Sequence, residues 1–436
     1  MAFVPVYILI LGTTIIIDYY AGIYLERTKG KRRRYFLVAS LIANIGVLAI
    51  FKYYNFLNGN LSDFLNSIGY INRIPNLSIL LPIGLSFHTF QAMSYTIEVY
   101  RGNQKAEYNF GIYALYVMFF PQLVAGPIER PQNLLHQFYE KHYFEYERIV
   151  DGLKLMLWGL FKKIVIADRL ALYVNVVYDN PSEHSGLSLS IGTVFFAFQI
   201  YCDFSGYSDM AIGAAKILGF KLMTNFNRPY LSRNISEFWK RWHISLSTWF
   251  KDYLYLSLGG NRVSIPRWYF NLLFVFTISG LWHGANWTFI IWGALNGFYL
   301  VFAILTADWR RRINHYIYLD RLPWLHNFLQ ISITFILTCF AWIFFRANTS
   351  SDAFLVLTKI IKMNGPLFID EVTMVYSLFG IILLVLVETN TEYFKGSFSL
   401  INHHNQAVRI CTYTFLILTI LLIGVIDGSQ FIYFQF

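Results

Sequence analysis

The sequence predicts an all-α, polytopic membrane protein, and three observations carry that prediction. Of 436 residues, 56% are hydrophobic and only 14% are charged, against roughly 25% charged in an ordinary soluble domain. Windows near 3–25, 35–57, 79–100, 108–128, 187–218, 327–345, 372–388 and 409–427 are apolar over about the 20 residues that a helix needs to cross a bilayer. The charge-free run from Trp268 to Ala307 is about twice one span in length and adds two more, giving ten or more tilted transmembrane helices. Basic residues, finally, gather at span ends, as in "ERTKGKRRR" (26–34) and "DWRRRINHY" (308–316).

Short basic loops stay in the cytoplasm. The first span therefore runs inward, 26–34 is an inner loop and 58–78 an outer one. The third span returns to the cytoplasm near Arg101 and Lys105. This distribution explains the net charge of +10 without nucleic acid, because no soluble basic domain exists to bind it. Cys202, Cys339 and Cys411 lack metal-ligand spacing, so no zinc site or disulfide framework is expected. The first apolar stretch is too long for a cleavable signal and carries Asp18. No internal repeat is visible. The chain reads as one membrane domain, with N-terminal spans over 1–128, a core over 129–310 and C-terminal spans over 311–436.

That core breaks the alternation of spans and loops. In 129–181, Asp151, Lys154, Lys162, Lys163, Asp168 and Arg169 interrupt an apolar helical pattern, which suits an amphipathic or re-entrant helix. In 225–262, Glu237 falls near a helix start, where negative charge is favoured. Trp239, Trp242, His243, Leu246 and Trp249 then recur on one face, which predicts a helix at the membrane interface. Irregular backbone persists in a membrane only where protein buries it or a cavity is lined by it, so the core points to a chamber.

Within the charge-free run, "GLWHGANW" (280–287) holds a single histidine, His283, flanked by Gly280 and Gly284. A continuing helix places Asn286 and Trp287 beside it. A neutral imidazole there suits a general base acting on a hydroxyl. The alternative is a core histidine bonded to a carbonyl. His243 is the second candidate, against the reading of an ordinary interfacial histidine. Asp203 and Asp209, in "YCDFSGYSDMAIG" (201–213), could hold a cation or proton, but pairing with Arg or Lys is the stronger expectation. Arg228, Arg233, Lys240, Arg241, Lys251 and Arg262 suit either a phosphate-bearing donor or anionic lipid headgroups. No phosphate-binding loop, Gly-x-Ser-x-Gly elbow or zinc-protease histidine pair is present.

The stretch "QIYCDFSGYSDMAIGAAKILGFKLMTNFNRPYLSRNISEFWKRWHISLSTWFKDYLYLSLGGNR", with "GLWHGANWTFIIWGALNG", resembles the membrane-bound O-acyltransferase family. The likeness is to its bacterial branch for alginate, peptidoglycan and other surface-polysaccharide O-acetylation. "FFPQLVAGPIERPQNLL" (119–135) and "FKYYNF" (51–56) fit the same branch, and the likeness runs from near residue 10 to about 350. It implies tilted and re-entrant helices around a central tunnel, with His283 as the catalytic histidine midway across and His243 as the second site position. Two further hydrophobic segments normally precede the stretch matching 1–25, and this sequence does not include them. The implied donor is a cytoplasmic thioester, acetyl-CoA, as a substrate with no tightly bound cofactor. The implied partner is an extracytoplasmic acetyltransferase of the Ser-His-Asp type, and the implied location is the bacterial inner membrane.

On that reading His283 takes the hydroxyl proton, while Asn286, Trp282 or His243 stabilises the oxyanion. Trp242, Asp203 and Asp209 would line the path, with Arg233, Lys240, Arg241 and Lys251 at the donor end. Two rival functions remain. One is D-alanyl transfer from a cytoplasmic carrier protein to teichoic acid, and the other is transport of a lipid-linked sugar through a proton relay.

Overall fold

The computed structural model describes residues 7–78, 84–394, 400–426 and 431. The expected windows at 3–25, 79–100 and 409–427 therefore lie partly outside the described residues. Among those described, the regular structure is helical, and seven helices are long and apolar enough to cross a membrane: Ile8–Arg27, Lys31–Ser67, Gly186–Leu218, Trp287–Leu305, Pro323–Arg346, Glu371–Tyr393 and Gln406–Ile423. The protein is a multi-pass membrane protein, but the expected ten or more spans are not confirmed.

Three of the expected windows fall outside that set for physical reasons. Leu85–Arg101 buries His88, Gln91, Ser94, Thr96 and Glu98, so it is a polar helix sheltered by protein rather than a lipid-facing span. The 108–128 window forms only an eight-residue helix, Phe110–Val117, and then a tight turn at Phe120–Gln122 that contains Pro121. A proline inside such a run removes a helical hydrogen bond and ends the helix. Ile265–His283 carries Arg267 and Asn271 and also falls outside the apolar set.

The chain divides into two compact units, 1–153 with 211–223, and 154–210 with 224–436. In the first, Asp18 is fully buried and accepts hydrogen bonds from Ser40 at 2.5 Å and Asn44 at 2.9 Å, which ties the first two helices together. An asparagine clamp fixes the loop after Ser67. Asn55 bonds Leu77 in both directions at 2.8 Å, and Asn58 donates to Asn76 at 2.8 Å.

The second unit holds the larger core, in which Trp242, Trp292 and Trp342 are almost wholly buried. Its 154–179 stretch is one interrupted helix. A π-helical turn, Lys162–Ala167, separates Tyr146–Phe161 from Asp168–Asp179. Wide turns of this kind insert an extra residue and re-aim side chains. Just before it, Gly159 packs on Gly206 of Gly186–Leu218, where an added Cβ would stand 2.5 Å from the Gly206 carbonyl oxygen. Only paired glycines allow that approach.

Candidate active site

His283 is the last residue of the Ile265–His283 helix, which forms a hairpin with Trp287–Leu305. Gly280 and Gly293 bring the two backbones together, since a Cβ at Gly280 would meet the Phe289 carbonyl oxygen at 2.2 Å. The helix does not continue past the histidine. Gly284 is extended, and Asn286 starts the next helix by accepting the Thr288 amide at 3.1 Å. Its other end donates to the Asn348 carbonyl at 2.9 Å. Asn286 is thus a helix cap and a tie rather than a neighbour on the His283 face, and Trp287 is exposed. The condition of a continuing helix is not met, because Gly284 takes extended backbone directly after the histidine.

The His283 ring is buried among aromatic side chains. Trp292 lies at 5.0 Å between ring centres and nearly perpendicular, Phe345 at 5.3 Å and Trp282 at 5.0 Å. Trp292 in turn stacks on Trp342 at 5.7 Å.

His243 stands on a break in the segment expected to be one interfacial helix. Two short helices, Ile235–Arg241 and Ile244–Trp249, meet at Trp242 and His243. Asn234 caps the first, and its Glu237 carboxylate accepts the Arg233 amide at 2.9 Å, close to a capping box. His243 has φ 41° and ψ 56°, a left-handed conformation costing about 1 kcal/mol or more for a residue with a side chain. Asn225 holds it there. The Ile244 amide donates to the Asn225 carbonyl at 2.8 Å. The Asn225 side-chain oxygen lies 3.1 Å from His243 Nδ1 and accepts from Ser245 Oγ at 2.8 Å. Trp242, His243, Leu246 and Trp249 are consequently buried and do not form a lipid-facing stripe.

The two histidines share Trp282, whose ring centre is 6.4 Å from that of His243 and 5.0 Å from that of His283. Phe204 and Phe226 complete the wall against His243. Burial holds the His243 imidazole far below its ordinary value, at about 3, so it is neutral at physiological pH.

The other expected residues divide. Asp203 pairs with Lys163 and Asp209 with Lys162, both at 2.7 Å, which is the pairing expected of them. The π-helical turn aims consecutive lysines at one helix, and Lys162 also donates to Ser205 at 2.9 Å. The Tyr201 hydroxyl donates to Glu388. One turn on, Glu392 accepts from Arg228 at 2.6 Å and Arg241 at 2.8 Å. Arg241 is therefore tied within the protein, whereas Arg233, Lys240 and Lys251 are exposed. Trp242 packs within the core against Trp342 at 5.1 Å. Asn225, Glu388 and Glu392 were not singled out by sequence, and no local pattern marks them. Lys162 and Lys163 did carry a signal, as adjacent charges in an apolar helix.

Two clefts lie elsewhere. One of about 740 Å³, between 183–185 and 355–368, is lined by neither histidine. The other, of about 470 Å³, is lined by Glu129, Gln132, His136 and Lys221. There the buried Glu129 carboxylate accepts from the Met223 amide and from Asn133, and burial outweighs these bonds to raise it to about 7.

Known proteins resemble this arrangement in sequence. The family described as "MBOAT, membrane-bound O-acyltransferase family" matches residues 103–344, which include both histidines. A probable alginate O-acetylase, AlgI, of Pseudomonas aeruginosa is 39% identical over 346 residues, 78% of this chain and 64% of that protein. A peptidoglycan O-acetyltransferase of Helicobacter pylori is 37% identical over 386 residues, 82% of this chain and 71% of that protein. A teichoic acid D-alanyltransferase of Bacillus subtilis is 27% identical over 287 residues, 63% and 71% of the two chains. The chain thus spans a little under two thirds of the Pseudomonas relative. With the match covering more than half of its residues, the chain belongs to the membrane-bound O-acyltransferase family.

Proposed function

We propose that the chain is an O-acyltransferase of the bacterial inner membrane. It moves an acetyl group from cytoplasmic acetyl-CoA, through a tunnel, for O-acetylation of a cell-surface polysaccharide. The observation that carries this reading is the meeting of His243 and His283 at Trp282, within an aromatic wall. Membrane-embedded ionisable groups are retained where they serve a pathway or a reaction.

In the reaction His283 takes the proton of the acceptor hydroxyl. The hydroxyl oxygen bonds to the thioester carbonyl carbon, the carbon–sulfur bond breaks, and the proton passes to the thiolate leaving group. Positioned base catalysis of this kind contributes roughly 10²–10⁴-fold. Exposed Arg233, Lys240 and Lys251 would meet the donor phosphates, and Asp203, Asp209 and Trp242 fix the surrounding helices. The hydroxyl belongs to the polysaccharide or to an extracytoplasmic acetyltransferase of the Ser-His-Asp type that relays the group. The higher identity to O-acetylating relatives than to the D-alanyl one supports acetyl as the group carried.

The test is transfer from radiolabelled acetyl-CoA by the purified chain in nanodiscs, with a hydroxyl acceptor or partner extract, compared with His283→Ala. Turnover in the wild type and its loss in a folded mutant supports the reading. Use of a D-alanyl carrier protein in place of acetyl-CoA would assign the donor to the teichoic acid branch. An unaffected mutant would make His283 structural.

A further inference from the structure

We propose that Asn225 is a positioning residue that locks His243 in the Nδ1–H tautomer, making its Nε2 a hydrogen-bond acceptor in acyl transfer rather than a donor to the oxyanion. The role in transfer rests on the acyltransferase reading; the tautomer does not.

The Asn225 amide presents one of its two ends to the His243 ring. Amide nitrogen and oxygen are distinguished by their hydrogen bonds. The backbone N–H of Ser245 can only donate, and it lies 3.2 Å from the Asn225 side-chain oxygen. Ser245 Oγ reaches the same oxygen at 2.8 Å. On the other side the amide nitrogen lies 3.2 Å from Ser208 Oγ, which can accept. Rotating the amide by half a turn would point its N–H₂ at the Ser245 N–H, donor against donor. The oxygen therefore stays where it is, 3.1 Å from His243 Nδ1.

A carbonyl oxygen accepts and never donates, so Nδ1 must carry the hydrogen. In a neutral imidazole one nitrogen is a donor and the other an acceptor. Nε2 then holds the lone pair. A neutral His243 of this kind offers no N–H from Nε2 to a developing oxyanion, and that assignment for His243 is excluded. What it offers is a hydrogen-bond acceptor for the attacking hydroxyl, in the aromatic enclosure shared with His283. The device is the orienting third group of a nucleophile–base pair, with an amide in place of a carboxylate.

The backbone serves the same end. The 225 carbonyl takes the Ile244 amide at 2.8 Å, and the Asn227 amide donates to the Arg241 carbonyl at 2.8 Å. These bonds bracket the left-handed His243 between two fixed points. Asn225 thus sets both the ring's protonation and its place.

Two measurements decide the matter. The first is ¹⁵N NMR of the full chain in detergent with labelled histidine, the His243 signals assigned by their loss in His243→Gln. An Nδ1-protonated ring is expected; an Nε2-protonated ring overturns the proposal, whatever the activity assay shows. The second is acetyl transfer by Asn225→Ala and Asn225→Asp. The aspartate keeps an acceptor at Nδ1 and should hold kcat within about tenfold, while alanine lowers kcat on the order of 10²-fold with KM nearly unchanged. Equal kcat in wild type and Asn225→Ala would also overturn it. Absence of transfer in the wild type would instead count against the acyltransferase reading and leave the tautomer to the spectrum.

Discussion

Around Lys162, the second unit packs charge against charge: Lys162 on Asp209, Lys163 on Asp203 and Asp168, and Arg228 and Arg241 on Glu392. Around His283, in the same unit, it packs rings against a single imidazole. Both clusters put titratable groups where water is scarce, yet they solve the problem differently. The ion pairs satisfy one another, so their chemistry is spent on joining helices. The histidines pack among aromatic rings, and the Asn225 amide meets His243 at Nδ1. Burial of a charge therefore does not mark function by itself; what matters is whether a counter-charge consumes it.

The sharpest way to break this contrast is Lys162→Met. Removing the buried lysine leaves the partly buried Asp209 carboxylate uncompensated, and such losses run to about 4 kcal/mol. Thermal or denaturant unfolding in detergent should show that loss, while acetyl transfer per folded molecule stays within about twofold. Adding Asp209→Leu should recover most of the stability, because a well-packed apolar pair replaces a buried ionic one at little net cost. If Lys162→Met melts like the wild type but fails to transfer, the network belongs to the reaction and the contrast collapses.

Much of this was legible in the sequence, and the misses share a cause. The apolar windows gave the all-helical membrane class, and "GLWHGANW" and "RWHISLS" marked the two histidines that meet at Trp282. Periodicity then misread the local backbone at both. His283 ends its helix, and His243 sits between two helices in a left-handed turn, because Gly284 and Asn225 override the heptad-like spacing. Asn225 lies 18 residues before His243, and a long-range hydrogen bond leaves no periodic trace. The span count is unconfirmed for a related reason. Hydropathy sees composition, so it cannot tell an apolar window that faces lipid from 108–128, where a proline turn stops the helix.

A middle-sized effect is expected where the imidazole side of the comparison depends on backbone contact. Gly280→Ala places a methyl 2.2 Å from the Phe289 carbonyl oxygen, and backbone cannot yield as a flexible side chain can. Overpacking of this severity costs about 3 kcal/mol and shifts the hairpin that carries His283. Stability and transfer should fall together, in contrast to Lys162→Met. Gly46→Ala is the control, since nothing lies within 4 Å of the added Cβ. A helical glycine with open space gains about 0.5–1 kcal/mol from alanine. Transfer retained in Gly280→Ala would show that the hairpin tolerates displacement and that the histidine's placement is less exacting than the packing implies.

Glu129 sharpens the comparison most finely, as a buried carboxyl held by hydrogen bonds, with Arg130 as a weaker charge nearby. Burial raises it from an ordinary 4.5 to about 7, against the lowering effects of the Met223 amide, Asn133 and Arg130. Between those values the native state keeps a proton that the unfolded chain has released, so stability is greatest below about 4.5 and declines as pH rises toward 7. The linkage relation puts the decline from pH 5 to pH 7 at roughly 2 kcal/mol. Glu129→Gln retains an oxygen for the Met223 amide and has no proton to lose. Its melting temperature should be nearly flat over that range, and above pH 7 it should exceed the wild type. A mutant that follows the wild-type slope would show that Glu129 is ionised throughout, paired as firmly as Asp209. The principle drawn from the lysine network would then extend to hydrogen bonds alone.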